Sequence, residues 1–570
     1  MSAFTQVKAL RPGRSVFNLS YEKKFDFDMG QIIPVCCEEM VPGDTFKFGN
    51  EIVINFQPMF APVYHEINVY VHYFFVPTRL IFDGWEDFIT RGVDGNDATV
   101  LPRFSPVIAN KASELAAYGP YSPYDYFGFP VIKQTISGIT YDYAYPGVGS
   151  SISDSGYYYR PLAFPWRCMN LVWNEFYRDE TLQEERDLDD PTICYRNWTK
   201  DYFTSALPFQ QRGTSPALPL SGSLDVVFST GFNSNVLIAG NPGESLDPNR
   251  AYFGSVQISE ASQYKTPTVS KGTVFNTQGE TPSDNVYAQT SSQLLNNAGG
   301  KVDLGDALTF DVSDLRLAFQ LQKFMERAAR GGVRYTEFLT SFFGVAPRDA
   351  RLQRPEYLGG SKSPIVVSQV LQTSQTSGES TPIGRLAGKG LTADHNYIGS
   401  YTAAEFGYLC GYMTVMPKPT YQNGVDRKWL RRSFSDFYFT MFAHLSEQPV
   451  TEEEIFAFGG DSTYIDPVSG EEIGNDSVFG YQAPYNEMRM NKDIVCGSLR
   501  DSLDYWHLGR QFDTPPRLNS EFITMDPTRD DLKRIFSVTN VPGLICNFGN
   551  IITGVRPLPK YGEPGLIDHS

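Results

Sequence analysis

The stretch from Asn50 to Thr90 reads NEIVINFQPMFAPVYHEINVYVHYFFVPTRLIFDGWEDFIT. It holds two strand signals in succession. Ile52, Ile54 and Phe56 alternate with Val53 and Asn55. Further on, Ile67, Val69, Val71, Tyr73 and Phe75 share one face, and Asn68, Tyr70, His72, Phe74 and Val76 share the other. A period of two in β-branched and aromatic residues predicts strands. Both faces of the second strand are largely apolar, which predicts a strand covered on both sides. Pro58 and Pro62 confine MFAP to a connection. Past Pro77 the period changes. Leu80, Ile81, Trp85, Phe88 and Ile89 suit one face of a short helix, with Asp83, Glu86 and Asp87 outward.

Upstream, FDFDMGQIIPVCC and DTFKFGNEIVINF read as β segments joined by the turn-like VPGD. Downstream, residues 93–160 are rich in Tyr, Gly, Ser and Pro and read as a long loop region. Pro165–Arg178 predicts a helix packed on the sheet, with Trp166, Met169, Val172 or Trp173, and Phe176 at helical spacing. Ser313–Arg330 predicts a second helix, capped by Ser313 and ended by Gly331 and Gly332, with Leu315, Ala318 or Phe319, Gln322, Met325 and Ala329 on one face. GYLCGYMTVMPKPTY, RIFSVTN and LICNFGNIITGVRPLP read as strands. SDFYFTMFAHL has the aromatic density of a buried element, and the acidic, Gly-rich stretch 452–482 reads as exposed.

Composition narrows the class. Among 570 residues there are 33 Tyr, 41 Phe, 49 Gly and 38 Pro, which favours a loop-rich all-β architecture. The net charge of −17 argues against a dedicated nucleic-acid binder, so any contact with nucleic acid is local. No apolar run is long enough to span a membrane, and the N-terminal residues lack the apolar core of a secretory signal. Seven scattered cysteines predict reduced thiols.

Little points to catalysis. Six histidines never stand at metal-ligand spacing, and no CxxC occurs. GRLAGKG at 384–390 is one residue short of a phosphate loop and has Gly390 where Ser or Thr must bind magnesium. Asp26 with Asp28, and Asp501 with Asp504, are near in sequence, which says nothing about their geometry. No cofactor is expected. Charge is more informative. Residues 1–21 form a basic arm with Lys8, Arg11 and Arg14 and no acid before Tyr21. Between 315 and 354, Arg316, Lys323, Arg327, Arg330, Arg334, Arg348, Arg351 and Arg354 face only Glu326, Glu337 and Asp349. Two readings stay open: ion pairing with acids elsewhere, or a basic surface facing phosphates.

NVYVHYFFVPTRLIFDGWEDFIT resembles the gokushovirus branch of microvirus major capsid proteins. Four further segments carry the resemblance in order: NLVWNEFYRDETL, KDYFTSALPFQQRG, LQRPEYLGGSKSPIVVSQVLQTS, and SLRDSLDYWHLGRQF with PPRLNSEFI. Departures concentrate at 95–160 and 221–310. The resemblance implies an all-β, eight-stranded viral jelly roll of two Greek-key sheets with very long loops and a few short helices. The expected organisation is a basic arm (1–21), a jelly-roll domain (22–220 and 311–570), and an insertion (221–310) forming a surface protrusion. It implies pentamers closing into an icosahedral shell around single-stranded DNA, assembled in the host cytoplasm. Implied partners are a small basic DNA-binding protein, an internal scaffolding protein, a pilot protein and a host surface receptor. Lys8, Arg11, Arg14, Arg316, Lys323, Arg327, Arg330 and Arg334 are then the candidate DNA-facing residues. The alternative from another class is a β-sandwich carbohydrate-binding protein or glycosidase, which aromatic richness and acidity suit.

Overall fold

The computed structural model describes residues 13–95, 98–107, 109, 111–129, 131, 160–216, 238–239, 287–288, 312–371, 386–443, 447–460, 462–467 and 469–560. The chain divides into two units, Met1–Gly213 with Met325–Ser570, and Thr214–Phe324.

The first unit is built on two antiparallel sheets. Their strands are β1 (Ser15–Asn18), β2 (Tyr21–Phe27), β3 (Gln31–Met40), β4 (Thr45–Phe56), β5 (Ile67–Pro77), β6 (Cys194–Tyr195), β7 (Glu356–Pro364), β8 (Val366–Leu371), β9 (Leu386–Thr402), β10 (Gly407–Pro417) and β11 (Leu544–Arg556). The six-stranded sheet runs β1-β11-β4-β9-β8, with β2 also paired to β11. The five-stranded sheet runs β6-β3-β10-β5-β7.

The opening stretch supplies one central strand to each sheet. In β4 the even-numbered residues Phe46, Phe48, Ile52, Ile54 and Phe56 are buried, while Lys47 and Glu51 are exposed. That strand faces the core on one side only, as its alternation dictates. Ile52 and Ile54 lie opposite Phe548 and Cys546 of β11. In β5 the odd face, Ile67 to Phe75, joins the main core with β4 and β10, and the Phe48 and Tyr73 rings lie 5.1 Å apart. The even face meets something else. Phe74 and Val76 pack with Phe164, Met169 and Val172 of α1 (Phe164–Val172) and with Trp173 of the π-helical turn that continues it, Trp173–Tyr177. A strand apolar on both faces is thus covered by the opposing sheet on one side and a helix on the other. α1 starts as read, with Pro165 in its first turn.

Three expectations fail locally. The helix past Pro77 is two short turns, Thr78–Ile81 and Trp85–Thr90, interrupted around Gly84. RIFSVTN is not a strand: Phe536 makes one isolated bridge, to Met59, and its ring packs on Phe56. Glu452, Glu453 and Glu454 are buried, not exposed. Remote partners account for Glu453 and Glu454. Arg427 pairs with Glu454 at 2.7 Å, Tyr202 Oη donates to Glu454 at 2.7 Å, and Arg432 pairs with Glu453 at 3.0 Å.

Candidate functional site

The basic residues singled out from sequence do not form one surface. Lys8 and Arg11 lie outside the described residues. Arg14 is exposed, its guanidinium close to Gly43 in the turn between β3 and β4. The rest start on α2 (Val312–Gly331), the second predicted helix. Arg316, Lys323, Arg327 and Arg330 recur there at steps of seven, four and three residues, so they share one stripe. The apolar face is narrower than the sequence suggests: Ala329 is buried, but Phe319 is 66% exposed.

Along the stripe, exposure changes to pairing. Arg316 and Lys323 are exposed. Arg327 is exposed too, its guanidinium 5.2 Å from the Phe342 ring centre and donating to the Ser341 carbonyl. Arg330 pairs with the buried carboxylate of Glu447. Arg334, just past the helix, is enclosed. It pairs with Glu180 at 2.9 Å and Glu337 at 3.5 Å, and donates to the carbonyls of Asn174 (2.8 Å) and Arg178 (3.0 Å). The local chain demands this arrangement. Gly332 has a φ of +91°, which ends α2, and a Cβ there would collide with the Glu337 carboxylate. α3 (Tyr335–Phe343) then begins with the Arg334 N–H donating to Glu337 Oε2 at 3.3 Å. For Arg334, then, ion pairing prevails over a phosphate-facing role, because its guanidinium is already paired with carboxylates and carbonyls inside the chain.

Arg330 and Arg334 line a cavity of about 670 Å³ together with Arg178, Glu180, Arg196 and Lys200. Arg178 pairs with Glu180 at 3.6 Å and Lys200 with Asp179 at 2.5 Å. Arg196 differs. Its guanidinium stacks 4.6 Å from the Tyr177 ring centre and makes no ion pair among the described residues. Tyr177 in turn shares a 2.9 Å hydrogen bond with His72 Nδ1. Burial first, and then the Arg196 charge, lowers the His72 imidazole to about 4, so it is neutral near pH 7. The walls are therefore largely charge-matched: they hold α2, α3 and the end of α1 together.

The structure also exposes what sequence reasoning placed inside. Of SDFYFTMFAHL, which begins at Ser435, Phe437, Tyr438, Phe439 and Met441 face solvent, as do Trp429 (75% exposed) and Phe434 just before it. Aromatic density alone did not distinguish a buried element from an exposed one.

Comparison with known proteins agrees over nearly the whole length. The family model described as capsid protein (F protein) matches residues 5–566. The capsid protein VP1 of Chlamydia phage 1 is 33% identical over 618 aligned positions, covering 99% of this chain and 97% of the relative. The capsid protein VP1 of Bdellovibrio phage phiMH2K is 29% identical over 99% of this chain and 98% of the relative. That of Spiroplasma virus 4 is 28% identical over 99% and 97%.

Proposed function

Because this chain belongs to the phage capsid protein (F protein) family, we propose that it is a jelly-roll subunit that forms pentamers, closes an icosahedral shell and encloses single-stranded DNA. It is a virion protein of the gokushovirus type, structural rather than enzymatic. With this membership the carbohydrate-binding alternative has no observation left in its favour.

The observation that carries the reading is strand order. β2-β11-β4-β9 in one sheet face β3-β10-β5-β7 in the other. Followed in sequence, the chain crosses between sheets at each step from β2 to β5, stays in the second sheet for β7, and then alternates through β9, β10 and β11. Two interlocked Greek keys give this order, which is the expectation for an eight-stranded viral jelly roll. The remaining short strands extend its edges. The long connections, β5 to β7 and β10 to β11, supply the area for contact between subunits.

Within the shell, the DNA-facing role falls to Arg14, Arg316, Lys323 and Arg327, which are exposed and, among the described residues, not enclosed by carboxylates in the way Arg334 is; Lys8 and Arg11 of the arm join them on their charge in the sequence alone. Contact of that kind is electrostatic and independent of base sequence. The net charge of −17 makes a small basic protein a fitting companion for the packaged genome. A scaffolding protein and a pilot protein complete the proposed assembly. Residues 221–310 are proposed as the protrusion that meets the host receptor. The division of the chain at Thr214–Phe324 supports treating that stretch as a separate piece.

The test is the triple variant Arg316→Glu, Lys323→Glu, Arg327→Glu in the complete virus. Shell yield should stay within twofold, while packaged DNA, read from the absorbance ratio of purified particles, should fall by about half or more, given the salt-sensitive weight of each phosphate contact. Intact particles with an unchanged DNA-to-protein ratio refute the assignment of this stripe.

A further inference from the structure

The exposed segment 427–441 carries an inference that rests on the shell reading and sharpens it. Its sequence is RKWLRRSFSDFYFTM. Six large apolar side chains point to solvent: Trp429 at 75%, Phe434 at 73%, Phe437 at 53%, Tyr438 at 49%, Phe439 at 47% and Met441 at 75%. At roughly 200 Å² per large side chain, they leave on the order of 750 Å² of apolar surface in water. Isolated exposed apolar residues are ordinary, but a concentration of this size marks a contact surface. It matches the ~800 Å² that each partner contributes to a stable protein–protein interface.

The segment is also held in place before any partner arrives. Arg427 ties its start to Glu454 at 2.7 Å and to the Pro449 carbonyl at 2.6 Å. Arg432 reaches Glu453 at 3.0 Å. Ser433 and Arg432 N–H groups both donate to the Asp436 carboxylate, at 2.7 and 2.8 Å. Tyr485 Oη donates to the carbonyls of Ser435 (3.0 Å) and Phe437 (3.2 Å). Neighbouring rings brace one another: Tyr438 lies 5.2 Å from Tyr485, and Phe442 lies 6.2 Å from Phe434 and 5.8 Å from Phe439. The backbone is fixed while the apolar side chains project, which lowers the ordering cost of docking.

Two occupants suit aromatic residues interleaved with cations: another protein surface or a single-stranded nucleic acid. Charge decides between them. Arg427 and Arg432 are held by Glu454, Glu453 and Asp476, and Lys428 pairs with Asp426 at 2.8 Å. Arg431 stacks 4.9 Å from the Phe437 ring centre. Little positive charge is left to draw a phosphate backbone, whereas the apolar area is that of a protein interface. We propose that residues 427–441 are a preformed docking element that seats on a second copy of this chain within the shell. A ring of copies needs a head-to-tail contact, so the receiving face is a different surface of the neighbour.

The experiment uses the full chain. The triple variant Trp429→Ser, Phe434→Ser, Met441→Ser is compared with wild type by sedimentation velocity over a concentration series, with the urea-unfolding midpoint as the folding control. Self-association should weaken at least ~100-fold, because buried aromatic anchors dominate interface energetics, while the unfolding midpoint stays put. In parallel, p-benzoylphenylalanine in place of Phe434, in an otherwise wild-type chain, should on irradiation give adducts of two chains. Unweakened association of a folded variant overturns the proposal, as do adducts to DNA alone. A wild-type chain that never associates at any concentration, and gives no particles when produced alongside the other proteins of its virus, overturns both this element and the shell reading. Failure of the element alone shows as normal assembly by the variant.

Discussion

Arg334→Ala should cost about 3 kcal/mol of stability, seen as a lower urea midpoint of the unassembled chain. This is the low end for breaking an enclosed ion pair. The reason is what remains. Among the described residues, Glu180 loses its nearer partner and keeps Arg178 at 3.6 Å, the Arg178 carbonyl loses its side-chain donor, and the Asn174 carbonyl is left with the longer bond from Arg178 Nε at 3.5 Å. Burial already pushes the Glu180 carboxyl up, with Arg334 the first of the charges that oppose it. Arg334→Lys should recover only part of the loss, since a single ammonium cannot reach carboxylate and carbonyls together. Arg316→Ala and Lys323→Ala, both at exposed positions, should stay within about 0.5 kcal/mol of wild type. A midpoint for Arg334→Ala indistinguishable from that of the exposed variants would mean that the cavity walls do not depend on this network.

Trp166→Ala should cost about 4 kcal/mol, within the range for deleting a buried aromatic side chain. Trp166 is wholly buried at the start of α1. Its ring stacks 3.8 Å from Phe104 and 5.5 Å from Phe129, with Tyr124 and Phe127 around it. This cluster holds Phe104, Tyr118 and Tyr124 of the long β5–β7 connection against α1. Trp166→Phe should lose much less. It keeps a ring in the stack and removes an indole N–H that meets no acceptor among the described residues. Equal destabilisation by Ala and Phe in equilibrium unfolding would contradict this account of the cluster.

Much of the fold was legible because it is written in local period. The two-sided apolar pattern of Ile67–Val76 marks a covered strand, and the structure supplies the covering sheet and helix. The one-sided pattern of Ile52–Phe56 marks a strand with one wet face. α1 and α2 follow from helical spacing and from their Pro and Gly boundaries. What was not legible depends on partners distant in the chain. Arg330 and Glu447 stand 117 residues apart in sequence. No local rule reveals that the excess of cations between 315 and 354 is partly neutralised by Glu180 and Glu447. The same holds for Glu453 and Glu454, whose acidity suggests a wet surface until Arg427, Arg432 and Tyr202 close over them. The segment 427–441 fails in the opposite sense. Its side chains have core composition, but among the described residues they stay about half exposed or more. That mismatch is expected where a subunit is completed by its neighbours.

The central claim is that this chain is a shell subunit. The most direct test is the mass of the purified full-length protein by size-exclusion chromatography with light scattering, followed by electron microscopy of the leading fractions. The account predicts a mass of five 64.0 kDa chains, or closed particles of uniform diameter. A single-chain mass at every concentration, with no particles when the protein is produced alongside the other proteins of its virus, would contradict it.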